Sequence, residues 1–200
     1  MAVTTLIQTK AVASPSARFP WTASATPDDG FPVVLALDLG QKTGWAMRLP
    51  DTIIASGTVE FRPGRFEGGG MVYLRFRAWL EQVHATNRLR LIVFEEVRRH
   101  VGTAASHSYG GFLAILTSWC EHREVPYHGV PVGTIKRHIA GKGNARKEDV
   151  IAALRALGFD PDDDNEADAL AVLHWALANG VDGSGAAVAP VAPRKRGGRR

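Results

Sequence analysis

The stretch VVLALDLGQKTGWAM at residues 33–47 constrains this chain more than any other. Val33, Val34, Leu35, Ala36 and Leu37 run without a polar break into Asp38, the turn-like segment 39–44 follows, and Trp45, Ala46 and Met47 resume the apolar character. An unbroken aliphatic run closed by glycines predicts a central strand covered on both faces and turning into a neighbour. Asp38 then ends a core strand, where an ionised carboxylate is costly unless it is paired or meets a cation. The alternative at this point is a turn aspartate bonded to backbone amides two residues on.

Further along, residues 52–61 have the β-branched character of a third strand, and the short connections make the three an antiparallel meander. Residues 62–70 read as a polar, glycine-rich loop. Residues 71–84 predict a helix whose apolar face is Met71, Leu74, Ala78 and Val83, widened by Trp79 and Leu80. Residues 89–97, LRLIVFEEV, are a second buried strand that again ends in carboxylates, Glu95 and Glu96. A helix over 112–122, extending back toward Thr103, and a short strand over 125–130 follow. Pro131 suits the first turn of the next helix. A further helix spans 146–157 with Val150, Ile151, Leu154 and Leu157 on one face, and the last runs over 165–179 on a stripe of Ala169, Leu170, Val172, Leu173 and Ala176. The expected fold class is α/β: a mixed sheet, three antiparallel strands followed by two parallel ones, flanked by helices.

Acids thus cluster at Asp38, at Glu95 and along 162–168, DDDNEAD. Neighbouring strands lie about 4.8 Å apart, so carboxylates at matching strand ends can converge, and a helix crossing that edge can add Asp168. Hard oxygen ligands suit Mg²⁺ or Mn²⁺ rather than zinc. Two such ions about 4 Å apart can activate water on one side of a phosphodiester and stabilise the leaving oxygen on the other. Acids also favour helix N-termini through capping and the macrodipole, and most of 162–166 is expected to do only that. Asp168 differs, being flanked by Ala167, Ala169 and Leu170. Asp164 and Asn165 can share its helix face, whereas Glu166 points elsewhere.

Charge is unevenly placed. Of 24 basic residues, five lie in the final RKRGGRR, leaving 19 against 20 acids in the rest. The basic balance therefore belongs to a tail, and the body shows no nucleic-acid surface by net charge. The single cysteine, Cys120, excludes an internal disulfide and a cysteine zinc cluster, and its apolar helical setting reads as core. No apolar run is long enough for a membrane span, and the N-terminus lacks a signal pattern, which points to a cytoplasmic location. Residues 1–32 read as a disordered extension, 33–180 as the folded domain and 181–200 as a flexible basic tail.

Four motifs, in matching order over residues 33–179, resemble the RuvC family of Holliday junction resolvases, including phage-type members, within the ribonuclease H-like superfamily. They are LALDLGQKTGWA, FEEV, IKRHIAGKGNARKEDV and NEADALAVLHWA. The resemblance implies a metal-dependent nuclease for branched DNA, with Asp38, Glu95 and Asp168 as catalytic acids holding two Mg²⁺, which Mn²⁺ can replace. It places Lys136 and Lys147 where the family has lysines, Lys147 approaching the scissile phosphate. A lysine in a first helical turn after a glycine linker can present both cation and amides to phosphate, though it can equally be a solvated surface residue. Lys136, Arg137, Lys142, Arg146 and Lys147 become candidate DNA-backbone contacts, together with Arg194, Lys195 and Arg196 of the tail. Asn165 stands where the family often has an acid or histidine, so it either ligates metal as a neutral oxygen or caps the helix. After FEEV the family tends to carry a base-stacking aromatic; here Arg98 and Arg99 follow, and arginine planes also stack on bases. A homodimer is implied, since a two-fold substrate is best cut by two equivalent sites. Flap or general branched-DNA cleavage, a silent DNA-binding module, and an actin-like phosphotransferase fragment are the competing readings; the last needs two domains where there is room for one.

Overall fold

A computed structural model describes residues 31–97 and 102–183. The chain runs β1 (Val34–Asp38), β2 (Lys42–Arg48), β3 (Ile54–Glu60), α1 (Met71–Asn87), β4 (Leu91–Glu96), α2 (Thr103–Arg123), β5 (Tyr127–Pro131), α3 (Val132–Ala140), α4 (Lys147–Ala156) and α5 (Asp164–Ala178). The sheet order is β3-β2-β1-β4-β5. The first three strands are antiparallel, while β1–β4 and β4–β5 pair in parallel. That is the mixed sheet expected from the sequence. Arg98 and Arg99, the tail residues Arg194, Lys195 and Arg196, and nearly all of the two expected flexible ends lie outside the described residues.

Side-chain alternation divides the sheet between two cores. Leu35 and Leu37 of β1, Trp45 and Met47 of β2, and Ile92 and Phe94 of β4 face α1 and α2. Val34 and Ala36, Ala46, and Leu91 and Val93 face the layer of α3, α4 and α5. Because both faces of β1 are covered, its sequence is continuously aliphatic rather than alternating. The first core is aromatic, with Phe61, Phe76 and Phe112 in mutual edge or tilted contact at centroid distances of 5.1–6.1 Å. The second is aliphatic and rich in alanine where α5 meets the sheet, with Ala36 and Ala46 facing Ala167, Ala169, Ala171 and Ala176 in one cluster.

Three expectations change. The buried face of α1 is Val72, Phe76, Trp79, Leu80 and Val83, while Leu74 is 58% exposed. The bulkier i, i+4 set wins, because a ring as large as Phe76 buries more apolar area than Met71 or Ala78. Leu157 is the C-cap of α4 and is exposed rather than part of its apolar face. Gly44 lies inside β2, paired with Asp38, and is not the end of a turn. Cys120 is fully buried, and burial pushes its thiol up to about 12, as suits a core residue. Among the described residues no helix is long and apolar enough to cross a membrane.

Candidate active site

Strand alternation aims the acids. Asp38 continues the Val34, Ala36 series and Glu95 the Leu91, Val93 series, so both point to the α5 side of the sheet, and Glu96 to the other. Since β1 and β4 are adjacent and parallel, Leu37 opposite Phe94, both acids leave the sheet at one edge. Helix α5 crosses that edge and brings Asp168.

The electrostatics follow from this convergence. Burial, then the Asp168 charge, pushes the Asp38 carboxyl up to about 7. Burial, then Asp168 and Asp38, pushes Glu95 up to about 8. Asp168 is also raised, chiefly by burial, with Lys147 and Lys136 pulling it back. Lys147 Nζ bonds to Asp164 Oδ2 at 2.7 Å, and its charge is felt at all three acids. Lys136 Nζ donates to the Ala145 carbonyl at 3.1 Å, bracing the loop that delivers Lys147. The structure thus groups Asp38, Glu95, Asp168, Lys147 and Lys136. Arg137, Lys142 and Arg146 sit exposed on the same α3–α4 segment, outside this cluster. Asn165 is partly buried beside it, with its backbone against Gly44.

Among the described residues, no three acid, histidine or cysteine side chains are closed into a ready ligand cage. The donor set nevertheless suits a hard divalent cation: carboxylate oxygens only, crowded and desolvated until two of them hold protons near neutrality, a state that cationic charge relieves. Asp38, Glu95 and Asp168 are the residues able to hold it.

Several residues outside the acid cluster support it. Helix α5 is seated on β3 by a polar ladder, with Ser56 Oγ donating to Glu166 Oε1 at 2.7 Å and Thr58 Oγ1 to Asp163 Oδ1 at 2.9 Å. Asp163 caps the helix by accepting from the Glu166 amide, and Lys42 Nζ pairs with it at 3.0 Å. The run 162–166 thus does more than serve the helix N-terminus: Asp163 caps it but also bonds Thr58 and Lys42, Asp164 pairs with Lys147, and Glu166 points away, buried against β3. Polar residues alternating on β3 were the available clue. Thr43 Oγ1 donates to the Gly40 carbonyl at 2.6 Å and closes the turn after Asp38. From α2, Tyr109 Oη donates to the Glu95 carbonyl at 2.9 Å and accepts from the Val97 amide at 3.2 Å, pinning the end of β4. Tyr109→Phe should therefore cost about 1 to 2 kcal/mol in denaturant unfolding, with faster hydrogen exchange at the Val97 amide. Unchanged exchange there would remove Tyr109 from the support of Glu95.

No family model matches the sequence, and no curated protein matches it. Solved structures do. Thermus thermophilus RuvC in complex with a Holliday junction substrate superposes with a TM-score of 0.60 at 21% identity, covering 70% of this chain and 90% of that one. A second Thermus thermophilus RuvC structure gives 0.60 at 24% identity, covering 75% and 97%. The yeast mitochondrial Holliday junction resolvase Ydc2 gives 0.50 at 13% identity, covering 74% and 78%. The chain therefore has the fold of RuvC, a mixed five-stranded sheet with helices on both faces.

Proposed function

We propose that this protein is a divalent-metal-dependent endonuclease that cleaves phosphodiester bonds in branched DNA, with the four-way junction as its principal substrate. The observation that carries the reading is the grouping of Asp38, Glu95 and Asp168, drawn from β1, β4 and α5, with Lys147 over them. The shared fold with RuvC, including its junction complex, supports the choice of substrate.

Two bound Mg²⁺, or Mn²⁺ in their place, would supply an activated water and a stabilised leaving oxygen. Asp38, Glu95 and Asp168 hold them, and Asn165 can add a neutral oxygen. Lys147 opens α4, so its ammonium and the first amides of that helix meet an incoming phosphate together. Lys136, Arg137, Lys142 and Arg146 line the same segment and contact the DNA backbone without reading sequence, as does the basic end of the chain, while Arg98 and Arg99 stack on bases. Two copies related by a two-fold axis cut symmetrically placed strands.

The test is cleavage of a four-way junction, a flap and a linear duplex by the purified full chain in Mg²⁺, in Mn²⁺ and after chelation, with its solution mass measured alongside. Junction cutting that is lost on chelation, by a dimer, is expected. Preferential cutting of the flap by a monomer would favour a general branch nuclease, and no cutting of any substrate a silent binding module.

A further inference from the structure

The loop between β3 and α1 presents an aromatic side chain that the site described so far does not use. Phe66 is 92% exposed, far beyond Leu74 at 58% or Phe31 at 56%. A single exposed apolar ring is common on a protein surface; what sets Phe66 apart is how it is held and where it stands.

The presentation is built, not loose. The Glu67 amide donates to the Gly64 carbonyl at 3.1 Å, closing a turn with Arg65 and Phe66 at its tip. Glu67 Oε2 accepts from the Gly64 amide at 2.5 Å and from Arg75 of α1 at 2.6 Å, and Arg75 also donates to the Arg62 carbonyl. The base of the loop is thereby stapled to α1 while its tip projects. The Arg65 guanidinium lies over the Phe66 ring, 5.3 Å from the centroid. Beyond the turn, a Cβ added at Gly68, Gly69 or Gly70 would meet nothing within 4 Å, so the backbone there is open to a long partner.

Its position matters equally. β3 runs in the same direction as β1, and the Phe61 amide, just past β3, donates at 2.8 Å to the Gln41 carbonyl in the turn after Asp38. The Phe66 turn therefore leaves the sheet at the edge that carries the three acids.

We infer that Phe66, backed by Arg65, is a stacking platform for an unpaired base of the DNA held at this edge, and so a specificity-determining residue for branched over continuous duplex. An exposed ring accepts any base face, and the guanidinium beside it adds cation–π support and reach to a phosphate. A paired, stacked base offers no free face to it. The inference rests on the proposed function for its substrate, but the stacking contact can be read separately.

The test uses the full chain under chelation, so that nothing is cut, with 2-aminopurine at the branch point of a four-way junction, in a linear duplex and in a single strand. Phe66→Ala is expected to weaken junction binding about tenfold, to restore 2-aminopurine emission that the wild type quenches, and to leave duplex affinity unchanged. Phe66→Trp should retain binding and quenching. A wild type that prefers the junction, with Phe66→Ala equal to it in affinity and emission, overturns this inference and leaves the proposed function standing. A wild type without junction preference defeats the proposed function instead. In that event, single-strand quenching that depends on Phe66 upholds the platform, and its absence overturns it. A lower solution mass for Phe66→Ala, with DNA binding unaltered, assigns the ring to a protein contact and also overturns it.

Discussion

Asp38→Asn is expected to abolish cleavage while making the protein harder to unfold. Removing one of the carboxylates proposed to hold the ions should cost about a thousandfold or more in rate, since metal stabilisation of the transition state is worth several kcal/mol. The opposite sign for stability comes from the raised carboxyl. Folding lifts Asp38 from 3.8 to about 7. The folded state thus binds a proton more tightly than the unfolded one, and stability falls as pH rises between those two values. Above pH 7 the lost stability is about 2 to 4 kcal/mol, part of it recovered by the solvent that still reaches the side chain. Asparagine carries no such cost, so under chelation at pH 8 the variant should melt several degrees above wild type, by about 2–4 °C per kcal/mol. At pH 4 the two should nearly coincide. Mg²⁺ should raise the wild-type melting temperature at pH 8 and move that of the variant far less. Taking the difference between the two proteins removes the half-buried histidines His84, His128 and His174, whose lowered values act in the opposite sense below pH 6.5. A variant that cuts at the wild-type rate, or that is less stable than wild type at pH 8, would sink the assignment of Asp38.

Gly44→Ala should damage both fold and activity. A Cβ at this position would stand 1.8 Å from the Asn165 carbonyl oxygen and 2.2 Å from its carbon. Both are backbone atoms of α5, so no rotamer change relieves the clash and the helix must move. Overpacking of this kind costs about 3 kcal/mol or more. The displaced segment begins three residues before Asp168, and a misplacement of about 1 Å in a reacting constellation can cost about a hundredfold in rate. Denaturant unfolding and single-turnover cleavage measure the two effects. Gly40→Ala, in the turn that precedes β2, is the control, because its Cβ would meet only Lys42 backbone atoms at 3.5 and 4.0 Å. If Gly44→Ala matched Gly40→Ala in both measurements, close docking of α5 would not be what sets Asp168.

Much of this fold was legible because period and composition are local properties. The aliphatic runs before Asp38 and before Glu95 declared two doubly covered strands, and short connections declared the antiparallel meander. The apolar stripe of α5 was equally plain, since Ala169, Leu170, Val172, Leu173 and Ala176 are all buried. Where two apolar sets competed, as on α1, local pattern could not choose: the partner surface decided which set faced the core.

The candidate site was half legible. Asp38, Glu95 and Asp168 could be named one at a time, because a charge at the end of a buried element is costly wherever it occurs. Local pattern declared the strands and the chemistry of the donors; the choice of Glu95 over Glu96 came from the likeness of FEEV to the family motif, and the structure accounts for it by the alternation that turns Glu95 toward α5. That Gly44 is a docking surface, that Ser56, Thr58 and Lys42 seat the helix, that Tyr109 pins the end of β4 and that Phe66 shares the edge with the acids emerged from the folded chain alone. Those contacts join residues up to 121 positions apart. Propensity and periodicity act over a few residues, whereas the distance between two such side chains exists only once the sheet and its two covering layers have closed.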